Sequence, residues 1–180
     1  DNKELIMALE DLEKEKGIKK DYVLDSIETA LVTAYKRNFN SLENVKVEMD
    51  RNTGATHVYS VKEIKEKVEN PETDISLSEA QKINPDLQLG NTVNVEIVPR
   101  NFGRIAAQTA KQVIIQKLRE AEREIVFNEF NDRKGEIVSG IIQKVDKNIV
   151  VMDLGKLEGV MPAKEQIPTE RYHVNQKIKA

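Results

Sequence analysis

Cysteine is absent from the 180-residue sequence, and aromatic residues make up only 4% of it. The lack of cysteine excludes disulfides and thiolate metal sites, which favours a reducing compartment. Hydrophobic runs are short, far below the roughly 20 residues that a membrane span requires. The charged N-terminus also lacks the apolar segment of a signal peptide. These absences predict a cytoplasmic protein without a membrane segment.

Residue patterns that support catalysis are missing as well. The two histidines, His57 and His173, belong to no metal-binding pattern. The glycines form no phosphate-binding loop, and no serine stands in a nucleophile motif. We therefore expect a binding protein that is not an enzyme, with no cofactor and no metal site.

Hydrophobic residues make up 39% of the chain, which is enough to fill a core for one domain or for one and part of another. The 28 Lys and Arg nearly balance the 31 Asp and Glu, giving a net charge of −3. Total charge thus says little about partners, and only its local distribution is informative.

Periodicity predicts a mixture of helices and strands. Apolar residues at helical spacing predict one helix over 2–15, ended by Gly17, and a second from an Asp21 N-cap to about residue 40. These two helices should pack as an antiparallel pair. Alternating residues then predict three strands, over 45–49, 56–64 and 93–97, with a short Ser76-capped helix before the third.

The longest periodic segment predicts a helix from Arg104 to Phe127. At 1.5 Å per residue it is roughly 35 Å long, so it should project or bridge. From Gly135 onwards, short glycine-broken strands predict the opening of a small β-barrel. The remaining residues are too few to complete one, and the sequence stops in an apparent strand. We interpret the chain as a trimmed fragment.

Charge is unevenly distributed along the long helix. No acidic residue occurs over 97–119, whereas five basic residues do, and acids return at Glu120. The N-terminus of a helix carries a partial positive charge, so basic residues there oppose the macrodipole. One interpretation is a surface that faces phosphates; the other is an ordinary solvated face. Scattered Lys and Arg suit backbone contact more than base recognition, and scarce aromatics disfavour a base-stacking platform.

Several segments resemble the NusA family of bacterial transcription factors. The specific one is FGRIAAQTAKQV at 102–113, preceded by NKEL at 2–5 and AYKR at 34–37. The resemblance continues through LREAER at 118–123 and resumes at GEIVSG, 135–140, and DLG, 153–155, where the S1 domain of the family begins. It covers essentially the whole chain in the expected order.

The resemblance implies an α+β fold. This is an N-terminal helical pair with a small three-stranded sheet and one long connecting helix, followed by an incomplete S1/OB-type β-barrel. Residues 1–131 would form an RNA polymerase-binding domain that includes the long helix as a link, and 132–180 a partial S1 RNA-binding domain. The family continues into KH domains, which this sequence does not include.

The resemblance also implies partners. Members of the family bind elongating RNA polymerase near its RNA exit channel, through the β flap tip, prolong hairpin-dependent pauses, and act in termination or antitermination with other transcription elongation factors. The nascent RNA hairpin is the expected nucleic-acid partner, and we expect a monomer. The N-terminal helices are the expected docking part, where four residues are either core or polymerase contacts: Leu5, Ile6, Leu9 and Leu12.

Two sets of basic residues are candidates for RNA contact. The family's RNA-facing surface corresponds to Lys36, Arg37, Arg104 and Lys111, which the charge window extends with Lys117 and Arg119. In the S1 part, Lys144, Lys147 and Lys156 are either phosphate contacts or solvated surface. The strand over 148–152 has none of the aromatics that S1 barrels commonly place there, which disfavours base stacking by this strand.

Two other classes of function remain open. A general S1-type RNA-binding or RNA-processing protein would bind RNA without polymerase, although the S1 part is incomplete and no nuclease carboxylate cluster is present. An oligomerisation role for the long helix would give a stable dimer. The drifting apolar stripe of that helix lacks a clean heptad, which counts against this class.

Overall fold

The computed structural model describes residues 2–40 and 43–180. It divides into two compact units, one up to Ala121 and one from Glu122 to Ala180. The first unit contains α1 (Asn2–Lys16), α2 (Lys20–Phe39), β1 (Val45–Met49), β2 (Thr56–Lys65), β3 (Asp74–Ser76), α3 (Leu77–Ile83) and β4 (Thr92–Ile97). Helix α4 (Phe102–Asp132) begins in the first unit and ends in the second.

The two N-terminal helices form as predicted, with one correction at the start of α2. Gly17 ends α1 in the left-handed region at φ 70°, and Asn40 ends α2 at φ 45°. Asp21 is not the N-cap, because α2 begins one residue earlier. The carboxylate of Glu13 on α1 accepts the backbone N–H of Lys20 at 2.9 Å, and so performs the capping role across the turn.

The sheet of the first unit has four strands, so the predicted three-stranded sheet is corrected. β2 is central, with β1 and β4 antiparallel to it and β3 parallel to it. The three predicted strands are confirmed as β1, β2 and β4. β3 has only three residues, too few for an alternating pattern to be visible in the sequence.

A separate small cluster of Ile64, Ala80 and Val93 packs α3 on the sheet of the first unit, whereas one larger core joins α1, α2 and α4 to it. Its fully buried residues include Leu24, Ile27 and Leu31 on α2, and Val47 and Val58 on β1 and β2. α4 contributes its N-terminal half through Phe102, Ala110 and Val113. The apolar stripe that the sequence predicts for this helix, from Ile105 to Ile125, is only partly right, because Ile125 is 57% exposed.

The second unit holds a four-stranded antiparallel sheet in the order β7-β6-β5-β8. Its strands are β5 (Ser139–Asp146), β6 (Ile149–Asp153), β7 (Glu158–Pro162) and β8 (Lys177–Lys179). Three side chains form its buried core: Ile142, Val150 and Met152. The incomplete barrel is confirmed as a small sheet with a correspondingly small core.

Candidate nucleic-acid interface

Two predicted cationic residues lie along one line of α4. Arg104 and Lys111 are seven residues apart, which is about 20° short of two helical turns and about 10 Å along the axis. Both side chains are exposed. Neither makes an ion pair to another described residue. The two charges are therefore available to a partner on the same side of the helix.

Arg119 lies further along the same broad face. It is about 60° around the helix from Arg104 and about 22 Å along the axis. Its side chain is exposed, and it makes no ion pair within the described residues. The span from Arg104 to Arg119 therefore carries three uncompensated cations.

Lys117 stands apart from these residues, on the far side of α4. It is about 140° around the helix from Arg104. Its ammonium donates to the Tyr22 hydroxyl at 3.0 Å and lies 4.6 Å from the centre of that ring, with Glu120 at 3.4 Å. Only 14% of its side chain is exposed, and these hydrogen bonds raise its pKa, that to Tyr22 most. The structure thus places Lys117 in the packing of α2 against α4.

Lys36 and Arg37 occupy the last turn of α2, where both are exposed. The adjacent Tyr35 ring stacks on Phe39 at 4.7 Å and contacts the edge of Phe102 at 6.0 Å between ring centres. Phe102 opens α4, two residues before Arg104. The aromatic contact therefore brings the C-terminal end of α2 and the N-terminal end of α4 together, each carrying predicted cations.

Helix electrostatics differ between the two ends. Lys36 and Arg37 lie at the C-terminal end of α2, where the helix dipole is negative and positive charge is favourable. Arg104 lies in the first turn of α4, which contains no acidic residue, so its charge opposes the dipole. Local helix stability does not explain Arg104, whereas a polyanionic partner would.

The four candidate polymerase contacts on α1 serve mainly the core. Ile6 and Leu9 are 5% and 1% exposed and belong to the core cluster. Leu5 and Leu12 are half-buried against it. Ile6 and Leu9 are consequently inaccessible to a partner in the folded chain.

The three candidate lysines of the second unit have different surroundings. Lys144 on β5 and Lys147 in the turn before β6 are both exposed. Lys156, in the turn before β7, is paired with Glu129 at 2.7 Å. Lys156 therefore has its charge compensated within the unit, whereas Lys144 and Lys147 are exposed.

Other kinds of site are not found in the described ranges. Residues 2–40 and 43–180 contain no group of three or more His, Asp or Glu that could hold a metal ion. His57 pairs with Glu96 at 2.7 Å on neighbouring strands, half-exposed. None of the helices within these ranges is long and apolar enough to cross a membrane.

The family profile described as the NusA N-terminal domain matches residues 4–124, two thirds of the chain. The chain belongs to the NusA family. A second profile, the S1 RNA binding domain, matches residues 131–180. The predicted family and fold class are thereby confirmed, with the S1 domain partial.

Relatives of the chain are named transcription termination/antitermination protein NusA. Those of Bacillus subtilis and Thermus thermophilus are 47% and 34% identical to it over 98% and 99% of its length. The chain spans about half the length of these relatives, 47% and 49%. A solution structure of the N-terminal domain of NusA from B. subtilis is 50% identical, with a TM-score of 0.60 over 68% of this chain and 99% of that one.

Two contacts that arrange the NusA-family surface escaped the sequence analysis. Tyr22 holds Lys117, and Tyr35 contacts Phe102. The members of each pair are far apart in sequence, so no local pattern connects them. The sequence offered one signal for these contacts, the positions of its few aromatic residues. The chain has only eight of them, and three take part in these two contacts.

Proposed function

We propose that this NusA-family chain binds elongating RNA polymerase near the RNA exit channel, through the β flap tip, and modulates hairpin-dependent pausing and termination. In this proposal residues 1–131 dock on polymerase and 132–180 add a partial S1 domain. The chain works as a monomer in the cytoplasm beside other transcription elongation factors. It makes and breaks no covalent bond.

One observation carries the RNA-facing part of the proposal. Arg104 and Lys111 are exposed, lie on one line of α4 and have no acidic partner among the described residues. The Tyr35–Phe102 contact brings the end of α2 that bears Lys36 and Arg37 to the same end of the unit. Such a cationic surface attracts an RNA backbone without selecting a base sequence, because the charges neutralise phosphates.

Polymerase association is tested with purified core RNA polymerase, intact or with the flap tip deleted. We expect the chain to be retained by intact polymerase at moderate salt and to be lost from the deletion form. Equal retention by both forms would contradict docking through the flap tip. Retention on RNA alone, with none on polymerase, would support the general RNA-binding class instead.

A further inference from the structure

One edge of the sheet in the first unit is open. β4 pairs with β2 on one side, and none of the strands within residues 2–40 and 43–180 pairs with its other side. In an antiparallel pair, the backbone N–H and C=O groups of successive residues point alternately towards and away from the partner strand. β4 therefore presents a row of backbone donors and acceptors to which a further strand can bond.

The register identifies the backbone groups that form this row. Ile64 on β2 donates its N–H to the C=O of Asn91 at 2.9 Å, and from this pair the register of the two strands continues without a shift. Hydrogen-bonded pairs recur at every second residue, so three residues of β4 direct their N–H and C=O groups away from β2: Thr92, Asn94 and Glu96. All three residues are exposed.

The edge lacks the features that commonly prevent an edge strand from pairing. Natural edge strands are protected by lysine, by proline, by bulges or by very short length. The six residues of β4, TVNVEI, contain neither lysine nor proline, and their register with β2 is regular throughout. Exposed aliphatic residues flank the strand in sequence, with Leu89 at 51% and Val98 at 93% exposure. The edge can therefore accept an extended chain.

The inner face of β4 favours apolar neighbours. Val93 is buried and packs with Ile64 of β2 and Ala80 of α3, and Val95 and Ile97 are half-buried. In a strand added to the edge, every second side chain would lie beside this row. Apolar residues at those positions would extend the core of the sheet.

The outer face of β4 favours a basic neighbour. The strand contains one charged residue, Glu96, whose side chain is 52% exposed. Its carboxylate contacts Nδ1 of His57 at 2.7 Å, and that ring is charged only when protonated. Residues directly opposite each other on neighbouring strands have Cβ atoms about 5 Å apart, and opposite charges at such positions stabilise the pair. A Lys or Arg opposite Glu96 in an added strand would therefore be favourable.

We propose that the outer edge of β4 binds an extended polypeptide segment in which apolar residues alternate with Lys or Arg. The segment adds a fifth strand to the sheet, its backbone bonds to Thr92, Asn94 and Glu96, and a basic side chain pairs with Glu96. The site lies on β4, whereas the cations assigned to RNA lie on α2 and α4. Strand addition is therefore a binding activity beyond the proposed function, and its partner is a protein that presents such a segment.

A synthetic peptide tests the edge directly. The probe is a short fluorescein-labelled peptide of alternating Val and Arg, and its binding to the complete chain is measured by fluorescence anisotropy. We expect saturable binding, with the amides of Thr92, Asn94 and Glu96 protected from hydrogen exchange in the complex. Two control peptides should bind more weakly. One replaces every Arg by Glu, and the other keeps the composition but groups all Val before all Arg, which removes the alternation without changing the charge.

Two variants of β4 separate backbone bonding from charge. Asn94→Pro removes an N–H that points away from β2, so the pairing of β4 with β2 is retained while binding of the Val–Arg peptide should weaken roughly tenfold. Asn94→Ala is the matched control, because it keeps that N–H and should bind normally. Glu96→Lys should weaken binding of the Val–Arg peptide and strengthen binding of the Val–Glu peptide. Far-UV circular dichroism verifies that each variant is folded.

The result is independent of the proposed function, because neither polymerase nor RNA is in the mixture. Absence of binding by the Val–Arg peptide, or equal binding by the peptide with grouped residues, would overturn the proposal. Equal affinity of wild type and folded Asn94→Pro, or an unchanged peptide preference in Glu96→Lys, would do so as well. Protection of the three amides that rises with chain concentration and without peptide would assign the edge to a second copy of the chain, against the proposal.

Discussion

At the scale of single residues, identical charges on α4 have different surroundings. Arg104 and Lys111 are exposed and have no acidic partner among the residues that the structure describes, while Lys117 contacts Tyr22 and Glu120. Helical phase explains the contrast, because 13 residues rotate Lys117 to the side that packs against α2. A run of basic residues in a helix therefore does not form a single surface.

This contrast predicts separable effects on pausing and on stability. Replacing Arg104 and Lys111 by Ala should reduce stimulation of hairpin-dependent pausing, because phosphate contacts are lost, while the folded state is unaffected.

Lys117→Ala should lower the free energy of unfolding by about 1 kcal/mol through loss of its contacts with Tyr22. Pause half-life and chemical denaturation measure the two effects. Unchanged pausing in the double variant would show that the charges of Arg104 and Lys111 do not contribute to pausing.

A second prediction at this scale concerns Asp74, a buried carboxylate on the first residue of β3. The backbone N–H of Asn70 donates to it, as do Lys65, Thr73 and the N–H of Glu69, so its pKa is lowered. A lowered folded pKa gives stability that is present at neutral pH and lost as pH falls below about 4.

Asp74→Asn should remove that part of the acid dependence. The free energy of unfolding, measured by urea denaturation between pH 7 and pH 3, should fall less steeply for the variant than for the wild type. Glu79→Gln is the matched control, because Glu79 is exposed. Parallel curves for the wild type and Asp74→Asn would exclude this role.

At the scale of elements, α2 is attached at both ends. Its first turn meets α4 through Tyr22 and Lys117, and its last turn meets the start of α4 through Tyr35 and Phe102. The two contacts pair the start of one helix with the later part of the other, so α2 and α4 run antiparallel. This arrangement fixes which end of α4 lies near Lys36 and Arg37.

The β1–β2 hairpin attaches to α2 through one arginine. Arg51 donates to Glu28 at 2.7 Å and to Asp25 at 2.6 Å, and Glu28 also accepts the backbone N–H of Met49 at 2.8 Å. These bonds join two donors of the hairpin, the Arg51 guanidinium and the Met49 N–H, to two carboxylates of α2. The hairpin and the helix are thereby held in one relative orientation.

Arg51→Met should therefore destabilise the first unit by about 1 kcal/mol, because the half-buried Glu28 loses its cation while the apolar stem is kept. Thermal denaturation measures the effect, which should shrink at high salt because ion pairs are screened. Lys46→Met is the control: Lys46 is an exposed cation on the same hairpin, paired with the exposed Glu48 at 2.7 Å. Equal stability of the two variants would contradict a stabilising role for the Arg51 hydrogen bonds.

At the scale of the whole molecule, the two units differ in the size of their cores. The first buries residues from three helices and two strands in one cluster. The second relies on Ile142, Val150 and Met152. Buried apolar area is the main stabilising term in folding, so the first unit should be the more stable one.

Hydrogen exchange measures this difference in one experiment. Amides of α2 between Leu24 and Leu31 should exchange slowest, because their opening requires loss of the larger core. Amides of β6 should exchange faster under the same conditions, although they are hydrogen-bonded on both sides of the strand. Equal protection of α2 and β6 would show that the units unfold together.

Local patterns determined the elements, the family and the candidate cations. Apolar spacing predicted α1, α2 and α4, and alternation predicted β1, β2 and β4, because both periods are properties of the local backbone. Ser76 identified its helix because its side-chain oxygen accepts the N–H of Glu79, three residues away. The motif at 102–113 identified the family without any knowledge of the fold.

The tertiary structure decided which of these residues act together. It buried Ile6 and Leu9, and it separated Lys117 from Arg104. It also added β3, which pairs with β2 across the chain and is too short for a periodic signal. Each of these outcomes depends on contacts between residues distant in sequence, whereas sequence periodicity reports only the face of an element that turns inward.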